Sequence, residues 1–254
     1  MVDLHCHILA GIDDGAQTMA DSVEMARAAV DEGIDTIIAT PHHKNGRYEN
    51  SKQAIIEKTD ELNEVLKAEG IPLHILPGQE PAIHGELVTG MTLGEVSTLN
   101  FSRYLFIELP AGHVPRYTDQ LLYDVQVNGK IPVIVHPERN QEIIERPDIL
   151  YQLIKNGALS QLTAASVCGR FGKRVKTFSE QLIEANLAHF IASDAHNTNK
   201  RAFYMTEAYH DIDTCYGVDM VYFFRENAEL LVRDKNVYKE VPQRIKKKKF
   251  LGLF

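Results

Sequence analysis

Short apolar runs alternate with longer stretches of helical period about seven times along this chain, and that alternation leaves few ways to fold. The runs fall near residues 2–6, 36–40, 73–77, 104–109, 132–136, 159–164 and 189–193. Between the first two, Met19, Val23, Ala26 and Val30 recur at helical spacing, and Gly33 sits where a helix stops. Ser51 can cap a second helix carrying Ile55, Leu62 and Leu66, which Gly70 and Pro72 close. Further helices fit residues 118–128, 141–156, 173–186 and 201–209. Strand, helix and strand in succession predict parallel strands joined by crossover helices, either as a barrel or as an open doubly wound sheet. No repeat or linker interrupts the 254 residues, so one domain over 1–254 is expected, with a basic-apolar tail at about 244–254.

Totals remove several classes of function. A net charge of -8 offers no basic footprint for nucleic acid. No run reaches the roughly 18 apolar residues of a membrane span, and Met1-Val2-Asp3-Leu4-His5 does not look like a signal peptide. Three scattered cysteines favour a reducing cytosol over a disulfide framework. Lys246-Lys247-Lys248-Lys249 followed by Phe250-Leu251-Gly252-Leu253-Phe254 reads as a solvated tail, with peripheral contact to an anionic membrane as the alternative.

The chemistry gathers at the strand ends. In His5-Cys6-His7 the two imidazoles share one face of a strand. Asp13-Asp14-Gly15 follows on a loop; His42, Glu80, Glu108 and His136 each close a predicted strand, and Asp194 and His196 close the last. Each residue alone is equally at home as a turn, a cap or a hydrogen-bonded core histidine. Together they terminate six of seven predicted strands, always at the C-terminal end, where parallel β/α folds assemble their sites. A mixed imidazole and carboxylate set of nine, His5, His7, Asp14, His42, Glu80, Glu108, His136, Asp194 and His196, suits two or three Mn, Fe or Zn ions. Closely spaced metals clamp a phosphoryl group and lower the pKa of a bound water to about 7.

These motifs, with Thr40-Pro41-His42, Gly78-x-Glu80, His136-Pro137-Glu138-Arg139 and Ser193-Asp194-x-His196, resemble the PHP (polymerase and histidinol phosphatase) superfamily. More narrowly, Met1-x-Asp3-x-His5-x-His7 and Asp13-Asp14-Gly15 look like the bacterial tyrosine-protein phosphatases of capsule and exopolysaccharide operons, over residues 1 to about 205. The resemblance implies a distorted seven-stranded barrel, an α/β fold with three divalent ions. It implies activity with manganese, with iron, zinc or magnesium as alternatives. It would place His5, His7, Glu80 and Asp194 on one ion, Glu80, Glu108 and His136 on a second, and Asp14, His42 and His196 on a third. Arg139 and Arg201 match the arginines that bind substrate phosphate, a task suited to a planar fork. The implied reaction is hydrolysis of phosphotyrosine by a metal-activated hydroxide, in the cytoplasm, on a protein such as the tyrosine-rich tail of a bacterial kinase. A small-molecule phosphatase acting on histidinol phosphate is the alternative.

His43 and Arg47 lie close enough behind His42 to line the pocket. Cys168-Gly-Arg-Phe-Gly-Lys-Arg174 has the Cys-x5-Arg spacing of thiolate phosphatases. Val167 and Val175 stand where that chemistry needs His and a hydroxyl, so the thiolate route is disfavoured, and the segment 169–174 is left as a basic loop that could meet an anionic substrate.

Overall fold

The computed structural model describes residues 1–245, so the tail expectation for Lys246 to Phe254 lies outside the described residues. In chain order the elements are β1 (Val2–Cys6), α1 (Met19–Asp31), β2 (Thr36–Ala39), β3 (His42–His43), α2 (Lys52–Ala68), β4 (His74–Pro77), β5 (Glu80–Pro81), α3 (Leu87–Leu93), β6 (Tyr104–Ile107) and α4 (Thr118–Val127). They continue with β7 (Ile131–Val135), α5 (Gln141–Glu145), α6 (Asp148–Lys155), β8 (Leu159–Thr163), α7 (Ala164–Val167), α8 (Lys173–Glu184), β9 (Phe190–Ala192), α9 (Met205–Tyr216) and α10 (Val218–Val232). Local chemistry sets the ends. Thr18 and Asp21 form a reciprocal capping box at α1, and Gly33 turns left-handed just after it. The Ser51 hydroxyl accepts from the Ala54 N–H at the start of α2.

All the strand pairs are parallel, in ladders ordered β1-β2-β4, β3-β5 and β6-β7-β8-β9. Single bridges join the ladders at Cys6 with Ala195 and at Ala82 with Glu108. Two of the seven expected strands, found as β2 and β4, are each followed past a break by a further two-residue strand. The breaks fall at Thr40-Pro41, where proline has no N–H for a ladder, and at Gly78. A Cβ on Gly78 would lie 2.5 Å from Ile38 Cγ2, so only glycine allows the two segments to pass so closely. Beyond each break a two-residue strand sets His42 opposite Glu80.

Side chains sort by strand parity. Tyr104, Phe106, Val133 and Val135 join an inner cluster with Phe190, whereas Leu105, Ile107 and Ile134 face outward into the core under the helices. Helix α10 contributes Ala228 and Leu231 to the inner cluster, and the turn after it bonds to Arg103 at the start of β6, so it covers the N-terminal ends of the strands. The expected helix at 141–156 is two helices, because Arg146 precedes Pro147 and takes an extended φ of -133°. The expected helix at 201–209 begins instead at Met205, after a left-handed Tyr204.

His189 ends the loop into β9 almost wholly buried, with Nδ1 accepting from the Ser160 N–H. Burial pushes its pKa down to about 3, with Lys239 adding to the effect. In the unfolded chain histidine takes up a proton near pH 6.5, and the folded chain resists it until about pH 3. Acidification through that window therefore drains stability, by at most about 1.4 kcal/mol per pH unit. Urea unfolding of wild type and His189→Gln between pH 7 and pH 4 is expected to show a shallower acid loss in the variant; parallel curves would contradict this.

Candidate metal centre

Three histidines have one ring nitrogen engaged, which aims the other inward. His5 Nδ1 donates to Gln161 Oε1 at 2.9 Å, and His7 Nδ1 donates to Asp13 Oδ2 at 2.7 Å. His196 Nδ1 donates to the Asp194 carbonyl at 2.9 Å. Such outer partners fix the tautomer and orientation that a metal-binding imidazole requires. The freed nitrogens converge on carboxylates. His5 Nε2 lies 3.4 Å from Glu80 and 3.5 Å from Asp194, and His7 Nε2 lies 3.4 Å and 3.3 Å from the same two residues. His42 bridges Asp14 at 3.3 Å and Glu80 at 2.9 Å, with Glu108 at 3.6 Å; His136 Nε2 lies 2.8 Å from Glu80 Oε1, and His196 Nε2 lies 3.4 Å from Asp14. All nine residues expected from the sequence thus meet in one cluster.

Ligand atoms of three overlapping sets lie within 4.8 Å of one another: His7, Asp14, His42 and His196; His5, His7 and Glu80; His42, Glu80 and Glu108. Each set differs from expectation: the first adds His7, the second lacks Asp194, and the third holds His42 where His136 was placed, although Asp194 still reaches His5 and His7 and His136 still reaches Glu80. The donor chemistry fits divalent cations. Glu80 Oε2, His42 Nδ1 and His196 Nε2 are buried without a hydrogen-bond partner, and the first two face each other at 2.9 Å without hydrogen-bond alignment. Buried groups left in that state are costly, and cations bound in the cluster would satisfy them.

The electrostatics divide the histidines: against the effect of burial, the neighbouring carboxylates raise His5, His7 and His42 above the usual imidazole value, so an ion would displace their protons. Burial opposes the charge on Glu80, but His5 and His42 outweigh it and hold the carboxyl well below the usual range. Burial likewise opposes Asp194, and Arg139 and His5 hold it low. Burial and the Glu80 charge push Glu108 up to about 7. Burial and Arg139 bring His136 down to about 4, and burial and His7 do the same for His196, so both stand as the neutral imidazoles that ligate metals.

Backbone strain serves the geometry. Val135 points inward, so strict alternation would turn His136 away; its left-handed backbone (φ 36°, ψ 49°) returns it to the cluster. Asp194 is left-handed too, at φ 53°. A Cβ on Gly15 would lie 1.9 Å from the His7 carbonyl oxygen, so the loop carrying Asp13 and Asp14 can fold against β1 only with glycine there.

Arg139 Nη2 reaches Asp194 at 2.8 Å, and Arg201 reaches Asp194 at 3.3 Å and Asp14 at 3.5 Å. Both arginines line a cavity of about 410 Å³ whose floor includes His42, Glu108, His136 and Asp194. Arg47 lines the neighbouring cavity beside Asp14, while His43, next to His42 on β3, is buried with both ring nitrogens unpartnered. Cys168 does not reach this centre. It caps α7, its thiol directed at the Tyr204 carbonyl at 3.8 Å, and burial with Glu207 and Asp211 pushes it up to about 12. Of the basic segment, Arg170 pairs with Glu207 on α9, and Phe171 alone lines the cavity.

Supporting residues went unassigned by the sequence reading. Asp13 binds His7 and the Gly15 and His42 N–H groups, and buried Asp3 accepts from the Ser193 N–H at 2.9 Å. Both sit inside the quoted motifs, where a second carboxylate beside a ligand was the available signal. Gln161 carries no such mark, because it lies mid-strand in β8.

Fold and centre together define an α/β protein of parallel strands with a histidine-carboxylate cluster that could hold metal ions, flanked by arginines. The family described as "Capsular polysaccharide synthesis, CpsB/CapC" matches residues 1–233, and the chain belongs to it. It is 52% identical to the tyrosine-protein phosphatase YwqE of Bacillus subtilis and 39% identical to the putative tyrosine-protein phosphatase CapC of Staphylococcus aureus, each over 100% of both chains. A solved structure reported for "YwqE from Bacillus subtilis and CpsB from Streptococcus pneumoniae, unique metal-dependent tyrosine phosphatases" superposes with a TM-score of 0.95 at 52% identity, covering 97% of this chain and 100% of that one.

Proposed function

We propose that this chain is a metal-dependent protein-tyrosine phosphatase acting in capsular or exopolysaccharide synthesis, built as one domain on a distorted seven-stranded β/α barrel. One observation carries the reading: nine histidine and carboxylate donors converge, three with their outer nitrogens already engaged, beside two arginines on one cavity. Full-length identity to enzymes named for this activity supports the substrate. For the barrel, the single bridges between ladders would close β1 against β9 and β5 against β6.

His5, His7, Glu80 and Asp194 would hold one ion, Glu80, Glu108 and His136 a second, and Asp14, His42 and His196 a third, with manganese the expected metal. Such ions supply charge neutralisation at the phosphoryl group and an acidified water. Arg139 and Arg201 would orient the phosphate and stabilise charge developing on its oxygens. Tyrosine's phenol, with a pKa near 10, leaves readily enough that protein-derived acid is dispensable. The partner would be a phosphotyrosine-bearing protein in the cytoplasm, such as a kinase tail. No helix among the described residues is long and apolar enough to cross a membrane.

Manganese-loaded protein is expected to hydrolyse a phosphotyrosine peptide faster than histidinol phosphate, to lose that activity to a chelator, and to keep it in Cys168→Ser. Loss in Cys168→Ser with retention in His136→Ala would overturn the metal route; faster histidinol phosphate turnover would overturn the substrate.

A further inference from the structure

The cavity over the metal centre has a polar floor and an apolar wall, and the wall contains one large ring. Phe171 stands there 38% exposed, with Leu109, Ala111, Val135 and Pro137 as the other apolar neighbours. We propose that Phe171 packs against the phenyl ring of the substrate and so selects aryl over alkyl phosphate esters; this deepens the phosphatase reading and rests on it.

Three features support the assignment. The Arg139 guanidinium carbon lies 5.4 Å from the Phe171 ring centroid, so the ring adjoins the fork assigned to the phosphate. A phosphate held by Arg139 places the first atoms of its ester group beside that ring. An aryl ester offers a face or edge at the 4.5–7 Å separation aromatic pairs favour, whereas an alkyl ester offers only a methylene. Next, the loop is shaped to present this side chain. Gly169 and Gly172 bracket it with φ of 79° and 93°, conformations that other residues adopt only with strain. Finally, the charge beside Phe171 is committed elsewhere: Arg170 is paired with Glu207 and lies 4.8 Å over the Tyr204 ring. The loop therefore gives the cavity a ring and not a charge.

Two phosphonates that the enzyme cannot hydrolyse test this on manganese-loaded protein, with inhibition of a generic phosphate ester as the readout. Wild type is expected to bind phenylphosphonate more tightly than methylphosphonate. Phe171→Ala is expected to raise the inhibition constant for phenylphosphonate about tenfold while moving that for methylphosphonate less than twofold, and Phe171→Tyr to restore the preference. Equal shifts for both inhibitors, or no shift for either, would overturn the proposal. A wild type that prefers the phenyl compound, loses that preference in Phe171→Ala, and yet fails on phosphotyrosine peptides would support the ring contact while overturning the peptide substrate.

Discussion

Glu80→Gln is expected to lower kcat/KM on a phosphotyrosine peptide by on the order of 10³-fold, since a cluster of shared cations supplies several kcal/mol to such a reaction. Glu80 is fully buried and faces His5, His7, His42 and His136 at once, more of the cluster than its fellow carboxylates reach. The amide keeps the volume and one acceptor oxygen but loses the charge that offsets cations and protonated imidazoles. Metal content by elemental analysis should fall with activity, while circular dichroism stays native. Full activity with wild-type metal content would show that the centre does not depend on this carboxylate.

Arg139→Lys is expected to cost about 10²-fold in kcat/KM with metal content unchanged. Lysine keeps the charge but not the planar fork, so a loss isolates geometry from electrostatics. Arg201 makes looser contacts, at 3.3–3.5 Å, and its lysine variant is expected to lose only about tenfold. Wild-type kinetics in Arg139→Lys would remove this residue from phosphate binding; a parallel loss of metal would reassign it to holding Asp194 in place.

How much of this was legible in the sequence depended on whether a residue's role leaves a local pattern. Glu108 was legible because a carboxylate ending the apolar run Tyr104-Leu105-Phe106-Ile107 has no cheap place to go. Asp194 and His136 were legible by the same placement, though the left-handed backbone that aims them was not. Strands β3 and β5 are two residues long, below the reach of any periodicity. Helix α10 hid because apolar residues mark both its faces: Phe224 and Leu231 are buried, while Val218 and Tyr222 are exposed. Gln161 could not have been picked out, because its task exists only once the fold brings β8 within reach of His5 on β1. The Cys-x5-Arg spacing shows the reverse error, a pattern that is present without the surroundings that would make it function.

The seam between β1 and β9 bears on when the protein acquires its metal. Asp3 pairs with Ser193 across 190 residues, and the Asp194 N–H donates to the His5 carbonyl beside it. Ligands from both ends of the chain therefore come together only after the intervening helices and strands are made. A growing chain emerging from the ribosome presents His5, His7 and Asp14 long before Asp194 exists, and those early ligands alone form an incomplete, open site. The full set of candidate ligands is thus complete only once the seam between β1 and β9 has formed, so binding by the whole set is expected to follow folding rather than to nucleate it.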